Sequence, residues 1–380
     1  MTNPRGTQIL RKGKLWHSAS RFGKFTMFSR LPLIAILVLP AVGCANFGFY
    51  TQAVKGQFQI YSRTRPIEDV VADTQTDAQL KERLRRVLEI REFASRELAL
   101  PENDSYRVYA DLERPFALWN VFATSELSLK PTQWCFLFVG CVTYRGYFAR
   151  DDAAAFAENL RAAGDDVYVG GVTVYSTLGW FDDPMLNTFV NRPLPEVAGL
   201  VFHELAHQKL FVKGDTTFNE SFAVTVELEG VRRWLQGDSA AGEFAGYQNQ
   251  VKRRDEFIAL MLKYRDRLDV VYKSDATETE KRAAKQRILG ELRTEYQQVR
   301  AGWNGYTGYD KWFAQDLNNA HFVSVGTYYQ LVPAFQALLA RERGDLPAFY
   351  RTAKEIGQLP EKERMAALNR LLPSTASAVN

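Results

Sequence analysis

The chain has 380 residues, 46% of them hydrophobic and 24% charged, with three cysteines and four histidines. That composition excludes a disordered or collagen-like chain and leaves room for one large core or two smaller ones. The net charge of +4 is unevenly spread: residues 1–43 hold seven of the 48 basic side chains and none of the 44 acidic ones, so 41 basic groups face 44 acidic ones in the remainder. A body of net charge −3 gives no electrostatic reason to expect a nucleic-acid partner.

In chain order, the first element is a targeting segment. Basic positions from Arg5 to Arg30 precede an apolar run, Leu31 to Val42, broken by Pro32 and Pro40. The run is short for a membrane-spanning helix and suits the apolar region of a signal peptide over 1–43; a simple uncleaved anchor is the competing reading. Met27 heads a compact leader of its own and is an alternative start. Ala41-Val42-Gly43-Cys44 resembles the lipobox of bacterial lipoproteins, with Ala41 where Leu is usual. The resemblance implies a lipid on Cys44, attachment to a membrane, and a place in the cell envelope facing the periplasm.

A helix is expected over 46–61, and Leu80, Leu84, Val87, Leu88, Ile90 and Phe93 give a second its apolar face within 77–98. Residues 105–175 change character: 106–110, 120–124, 127–129 and 166–175 are rich in β-branched and aromatic residues, and predict a small mixed sheet interrupted by an alanine-rich helix at 151–163. Cys135 and Cys141 fall inside this region. A pair left over in an exported chain is most simply a disulfide; a second metal site is the alternative, but no further Cys or His stands nearby to complete it. From Glu196 onward the pattern is helical, with helices over 220–235, 243–268 and 278–300, the last opened by a capping box at Thr277-Glu-Thr-Glu280. The charged stretch from Lys252 to Arg300 reads as a solvated hairpin. No internal boundary is evident within 44–372, and 373–380 reads as a disordered tail.

Half of the histidines fall in one pentapeptide, His203-Glu204-Leu205-Ala206-His207. Positions i and i+4 of a helix share a face, so both imidazoles can reach one metal ion, and the adjacent Glu204 is placed to act as general base on a metal-activated water. A helix that happens to carry two polar residues is the bland alternative. A catalytic zinc site needs a third protein ligand. The extended pattern that supplies a third histidine is excluded, because Leu210 and Lys213 occupy its positions. Glu220 is the candidate, early in a helix that can fold back after a turn at Lys213-Gly214-Asp215; Glu227 and Glu229 are fallbacks.

Asn219-Glu220-Ser-Phe-Ala223 resembles the third-ligand motif of gluzincins. Taken together with Gly43-Cys44, Phe49-Tyr50-Thr-Gln52, the block from Trp134 to Tyr147, Tyr175–Pro184 and HELAHQ, the chain from Cys44 to about Arg370 resembles the predicted zinc aminopeptidase family of bacterial lipoproteins. The resemblance implies an α+β, predominantly helical fold: a zincin-like core, a small mixed sheet and a helical C-terminal half in one peptidase domain, 44–372. It also implies Zn2+ on His203, His207 and Glu220, a peptide substrate, and an oxyanion donor of Tyr or His type. Tyr328 and His321 are the candidates for that donor. Asp182 or Asp183 could hold a substrate α-amino group, or could simply form a turn. The segment with which alanyl aminopeptidases recognise that amine has no counterpart here; Gly170-Gly171-Val-Thr-Val is nearest and lacks its Glu. A catalytically silent envelope lipoprotein that keeps a zincin fold as a binding or structural module is the competing reading.

Overall fold

The computed structural model describes residues 44–136, 140–177, 181–237 and 241–372. The expected signal segment 1–43 with Met27, the tail 373–380 and Trp180 lie outside the described residues. In chain order it runs α1 (Cys44–Tyr61), β1 (Thr64–Pro66), α2 (Ile67–Ala72), α3 (Ala78–Arg96), β2 (Val108–Ala110), β3 (Leu118–Ser125), β4 (Trp134–Phe136), β5 (Gly140–Val142) and β6 (Arg145–Tyr147). Next come α4 (Arg150–Ala162), β7 (Asp165–Val172), β8 (Met185–Leu186), α5 (Asn187–Val190), α6 (Leu194–Lys209) and α7 (Thr216–Gly237). The remainder is helical: α8 (Ala241–Lys273), α9 (Glu278–Ala301), α10 (Asp310–Phe313), α11 (Asn319–Tyr329), α12 (Val332–Arg341), α13 (Leu346–Gly357) and α14 (Glu361–Asn369). The chain divides into two units, 1–48 and 49–380; of the first only 44–48 are described, as the opening of α1. All that follows concerns the second.

The fold is α+β and mostly helical, as expected. The β region differs in detail. Instead of one mixed sheet, the described strands form three small ones, ordered β1-β2-β8, β6-β3-β7 and β4-β5. β3 is the centre of the second and pairs antiparallel with both neighbours, setting Val121 opposite Arg145 and Phe122 opposite Tyr168. The expected strand at 127–129 is instead the end of a turn and the irregular chain that follows it. Its backbone acceptors are taken by side chains rather than by a ladder: Asn319 Nδ2 donates to the carbonyls of Glu126 and Ser128 at 2.8 and 3.0 Å, and Lys285 Nζ to that of Glu126 at 2.9 Å. Leu129 is thereby drawn into the core.

α6 has almost no polar face. Val197, Ala198, Gly199, Val201, Phe202, Leu205 and Ala206 are all buried, so its polar side chains sit inside the molecule. It lies against α7, whose Phe218, Phe222, Ala223 and Val226 belong to the same core. Two glycines allow the close approach: a Cβ on Gly199 would lie 3.2 Å from Glu227 Cγ, and one on Gly230 would lie 2.6 Å from the Phe202 ring. A second core joins α8, α9, α10 and α11. α11 is held against β3 and β7 by Phe122, Ala320 and Val323, and by Asp166, whose Oδ2 accepts from Asn319 N at 2.8 Å and meets Lys285 Nζ at 2.6 Å.

Candidate metal centre

α6 begins at a proline N-cap, Pro193, with Pro195 in its first turn, where a missing N–H is harmless. Two and a half turns on, it presents His203 and His207, their rings 4.9 Å apart. The connection to α7 is pinned by one side chain: Asn219 Oδ1 accepts from Val212 N at 2.7 Å while its Nδ2 donates to Val212 O at 2.8 Å. Asp215 accepts from Phe218 N at 3.0 Å and starts the helix. Gly214 (φ +83°) makes the turn, and Glu220 then faces the histidine pair. Asn219 of the Asn-Glu motif thus shapes the turn, and Glu220 offers a carboxylate oxygen to the group.

His203, His207 and Glu220 are buried and offer one donor atom each, all within 4.8 Å of one another, a group that could hold a metal ion. Glu220 Oε2 lies 3.3 Å from His203 Nε2 and 3.6 Å from His207 Nε2, close to the ~3.4 Å edge of a tetrahedron with bonds of ~2.1 Å. Burial alone would raise the Glu220 carboxyl, but the charge of His207 and the hydrogen bond with His203 outweigh it and bring it down to about 2. Burial likewise opposes a proton on His203, yet the bonds with Glu220 and Glu227 hold its pKa well above the usual value.

Glu227, one of the fallback ligands, takes a different part. Its Oε2 lies 3.2 Å from His203 Nδ1, the carboxylate–histidine arrangement that leaves Nε2 as the donor toward a metal. Glu229 points elsewhere and pairs with Arg232 and Arg233 at 2.7 Å. His207 Nδ1 is buried with no hydrogen-bond partner among the described residues.

Glu204 lines both cavities that reach the group, together with Tyr328, and its carboxylate makes no hydrogen bond among the described residues. Tyr144, on the turn between β5 and β6, lines one of these cavities. Desolvation, then the charges of Glu220 and Glu204, push the Tyr144 and Tyr328 hydroxyls well above the ordinary phenol range, so both stay protonated donors. Ser221 positions Tyr328, its Oγ donating to Tyr328 O at 3.3 Å and accepting from Leu331 N at 3.2 Å. Sequence reasoning passed over Tyr144 as a site residue; its only signal was its place in the cysteine block.

His321 is not brought to the group. It sits in the first turn of α11, where its Nδ1 accepts from Asn318 N at 3.2 Å in a capping box. It is packed between Tyr168 and Trp312, and lines neither cavity that holds Glu204. Burial lowers its pKa to about 4. Asp183 is committed to structure: it accepts from Ser176 Oγ at 2.9 Å and from Thr177 N and Oγ1 at 2.9 and 2.8 Å. Asp182 is exposed. Cys135 and Cys141 are joined by a disulfide across the β4–β5 pair. That hairpin abuts the turn before Glu220, since a Cβ on Gly140 would lie 3.0 Å from Gly214 N.

Comparison with curated proteins and with solved structures returned no match. The family model described as Putative aminopeptidase matches residues 48–368, and the chain belongs to that family.

Proposed function

From that membership, which supports a peptidase activity, we propose that the protein is a zinc-dependent peptidase with an aminopeptidase's action on peptide substrates. The observation that carries the reading is the convergence of His203, His207 and Glu220 beside an unpaired Glu204. Two imidazoles and one carboxylate, with His203 oriented by Glu227, are the donor set of a catalytic zinc site with an open position. Zinc held there would polarise the peptide carbonyl and lower the pKa of a water.

The rest falls to the chain. Glu204 accepts the proton of the attacking water and delivers it to the leaving amine. Tyr328, with Tyr144, donates to the carbonyl oxygen as charge develops on it. The walls of the two cavities hold the peptide along the residues that follow β7, whose only strand neighbour among the described residues is β3. The same reading gives the fold a zincin-like core and tethers the chain by a lipid on Cys44 to the cell envelope, facing the periplasm. Its support is the sequence of the N-terminal segment and the exported chain's cysteine pair.

Glu204→Gln is the direct test. The variant should bind zinc like the wild type and lose at least about a hundredfold in hydrolysis of a peptide library. Retained turnover would remove Glu204 from the mechanism. Absence of zinc from wild-type protein would favour the silent-module reading.

A further inference from the structure

The two cavities that meet at Glu204 differ in charge. One, of about 510 Å³, has apolar walls that include Phe136, Phe148, Val174 and Phe211. Among the described residues its ionisable lining consists of His203, His207, Glu204, Glu220, Asp215 and two tyrosine rings beyond those of the centre, with no lysine or arginine. Asp215 is already paired with Arg364 at 2.8 Å. The other, of about 540 Å³, is lined by Arg192, Arg253 and Arg254 and by the carboxylates of Glu196, Glu204 and Glu227. Two of these arginines have partners. Arg192 lies 3.5 Å from Glu196, and Arg254 lies 3.6 Å from Glu227 and 3.5 Å from Asp255. Arg253 has no carboxylate within ion-pair distance among the described residues. Its guanidinium lies 4.3 Å over the ring of Tyr306, and its Nε is buried without a hydrogen-bond partner among the described residues.

Val172, Val174, Glu204 and Tyr328 line both cavities. A peptide whose scissile carbonyl is at Glu204 therefore extends into each. Its two ends carry opposite charges: among the described residues the first cavity offers a carboxylate no lysine or arginine, while the second offers it Arg253, whose charge no carboxylate pairs. The charge pattern orients the chain with its amino-terminal side in the apolar cavity.

We propose that Arg253 is a specificity-determining residue that binds a carboxylate on the C-terminal side of the cleaved bond, so that the enzyme selects short or acidic peptides. The carboxylate is the terminal one of a short peptide or that of an Asp or Glu side chain. This rests on the peptidase reading above.

The test compares Leu-Ala-Phe, its C-terminal amide and Leu-Ala-Glu amide on the zinc-loaded protein. The free acid should exceed the Leu-Ala-Phe amide in kcat/KM by about tenfold, the scale of one charge-assisted hydrogen bond. Arg253→Gln should bring that ratio to about one, and Arg253→Lys should keep part of it. Recovery of the preference by Leu-Ala-Glu amide assigns the site to side-chain as well as terminal carboxylates; no recovery assigns it to the terminus alone. Equal hydrolysis of acid and amide by the wild type, or a ratio that survives Arg253→Gln, overturns the inference and leaves the peptidase reading standing. If none of the peptides is cleaved, the peptidase reading falls. Calorimetric binding of the same peptides to Glu204→Gln protein then decides the role of Arg253 by the same ratio.

Discussion

Replacing Glu227 tests whether the proposed metal site depends on a residue outside the His203, His207 and Glu220 group. Its carboxylate is 3.2 Å from His203 Nδ1 and 3.6 Å from the Arg254 guanidinium, and only 22% of the side chain is exposed. Gln at this position keeps the shape and one acceptor but loses the charge, and a charge-assisted hydrogen bond is about twice as strong as a neutral one. Roughly 1.4 kcal/mol should be lost, a tenfold weaker zinc affinity. Glu227→Ala removes the acceptor as well and should approach the hundredfold end of the range for such outer partners. Competition of each variant against a chromogenic chelator at fixed pH measures the series. Glu229→Gln is the control, since that carboxylate serves Arg232 and Arg233 and should leave zinc affinity alone. Zinc affinity unchanged in Glu227→Ala would refute the claim that Glu227 orients His203.

Two further outcomes concern stability. A Cβ at Gly230 would lie 2.6 Å from the Phe202 ring and 2.8 Å from Leu98 Cδ1, so Gly230→Ala should destabilise the fold by about 1–3 kcal/mol in thermal unfolding; an unchanged Tm would show that α6 and α7 have slack. Burial lifts the Asp183 carboxyl to about 6 against its bonds from Thr177 and Ser176. The folded chain thus keeps a proton that the unfolded chain has released, and this contribution, full at low pH, is lost as pH rises toward about 6. Urea unfolding of wild type and Asp183→Asn between about pH 4 and pH 7 should differ by an amount that shifts on the order of 2–3 kcal/mol across that window. A constant difference would mean that Asp183 titrates normally.

The helices were legible where spacing carries the information. His203 and His207 share a face at i, i+4 spacing, and the turn at Gly214 makes α7 return along α6; local pattern made Glu220 a candidate beside Glu227 and Glu229, and the resemblance to gluzincins singled it out. Partner choice across long separations is not written in periodicity. Glu227 was visible as a nearby acid, but only the close packing at Gly199 shows that it meets the back of His203 and not the metal side. The segment around 127–129 looked like a strand because nothing local reveals that Asn319 and Lys285, far along the chain, take its carbonyls. His321 illustrates a missed local cue. It lies seven residues before Tyr328, about 10 Å along a helix axis, too far for both to serve one oxygen, and Asn318-x-x-His321 has the spacing of a capping box.

The tight seam between α6 and α7 also says how the centre comes into being. Val201, Phe202 and Leu205 are locked against Phe222, Ala223 and Val226, so folding delivers the three donor groups already gathered. Bonds with Glu220 and Glu227 hold the His203 pKa well above its usual value, so a cation that enters this group competes with a proton for the imidazole. On the proposed reading, zinc enters a finished frame and the helices stay put. A chain stripped by chelation should keep its shape and refill at a rate set by entry through the cavities, unlike small zinc domains that collapse when emptied.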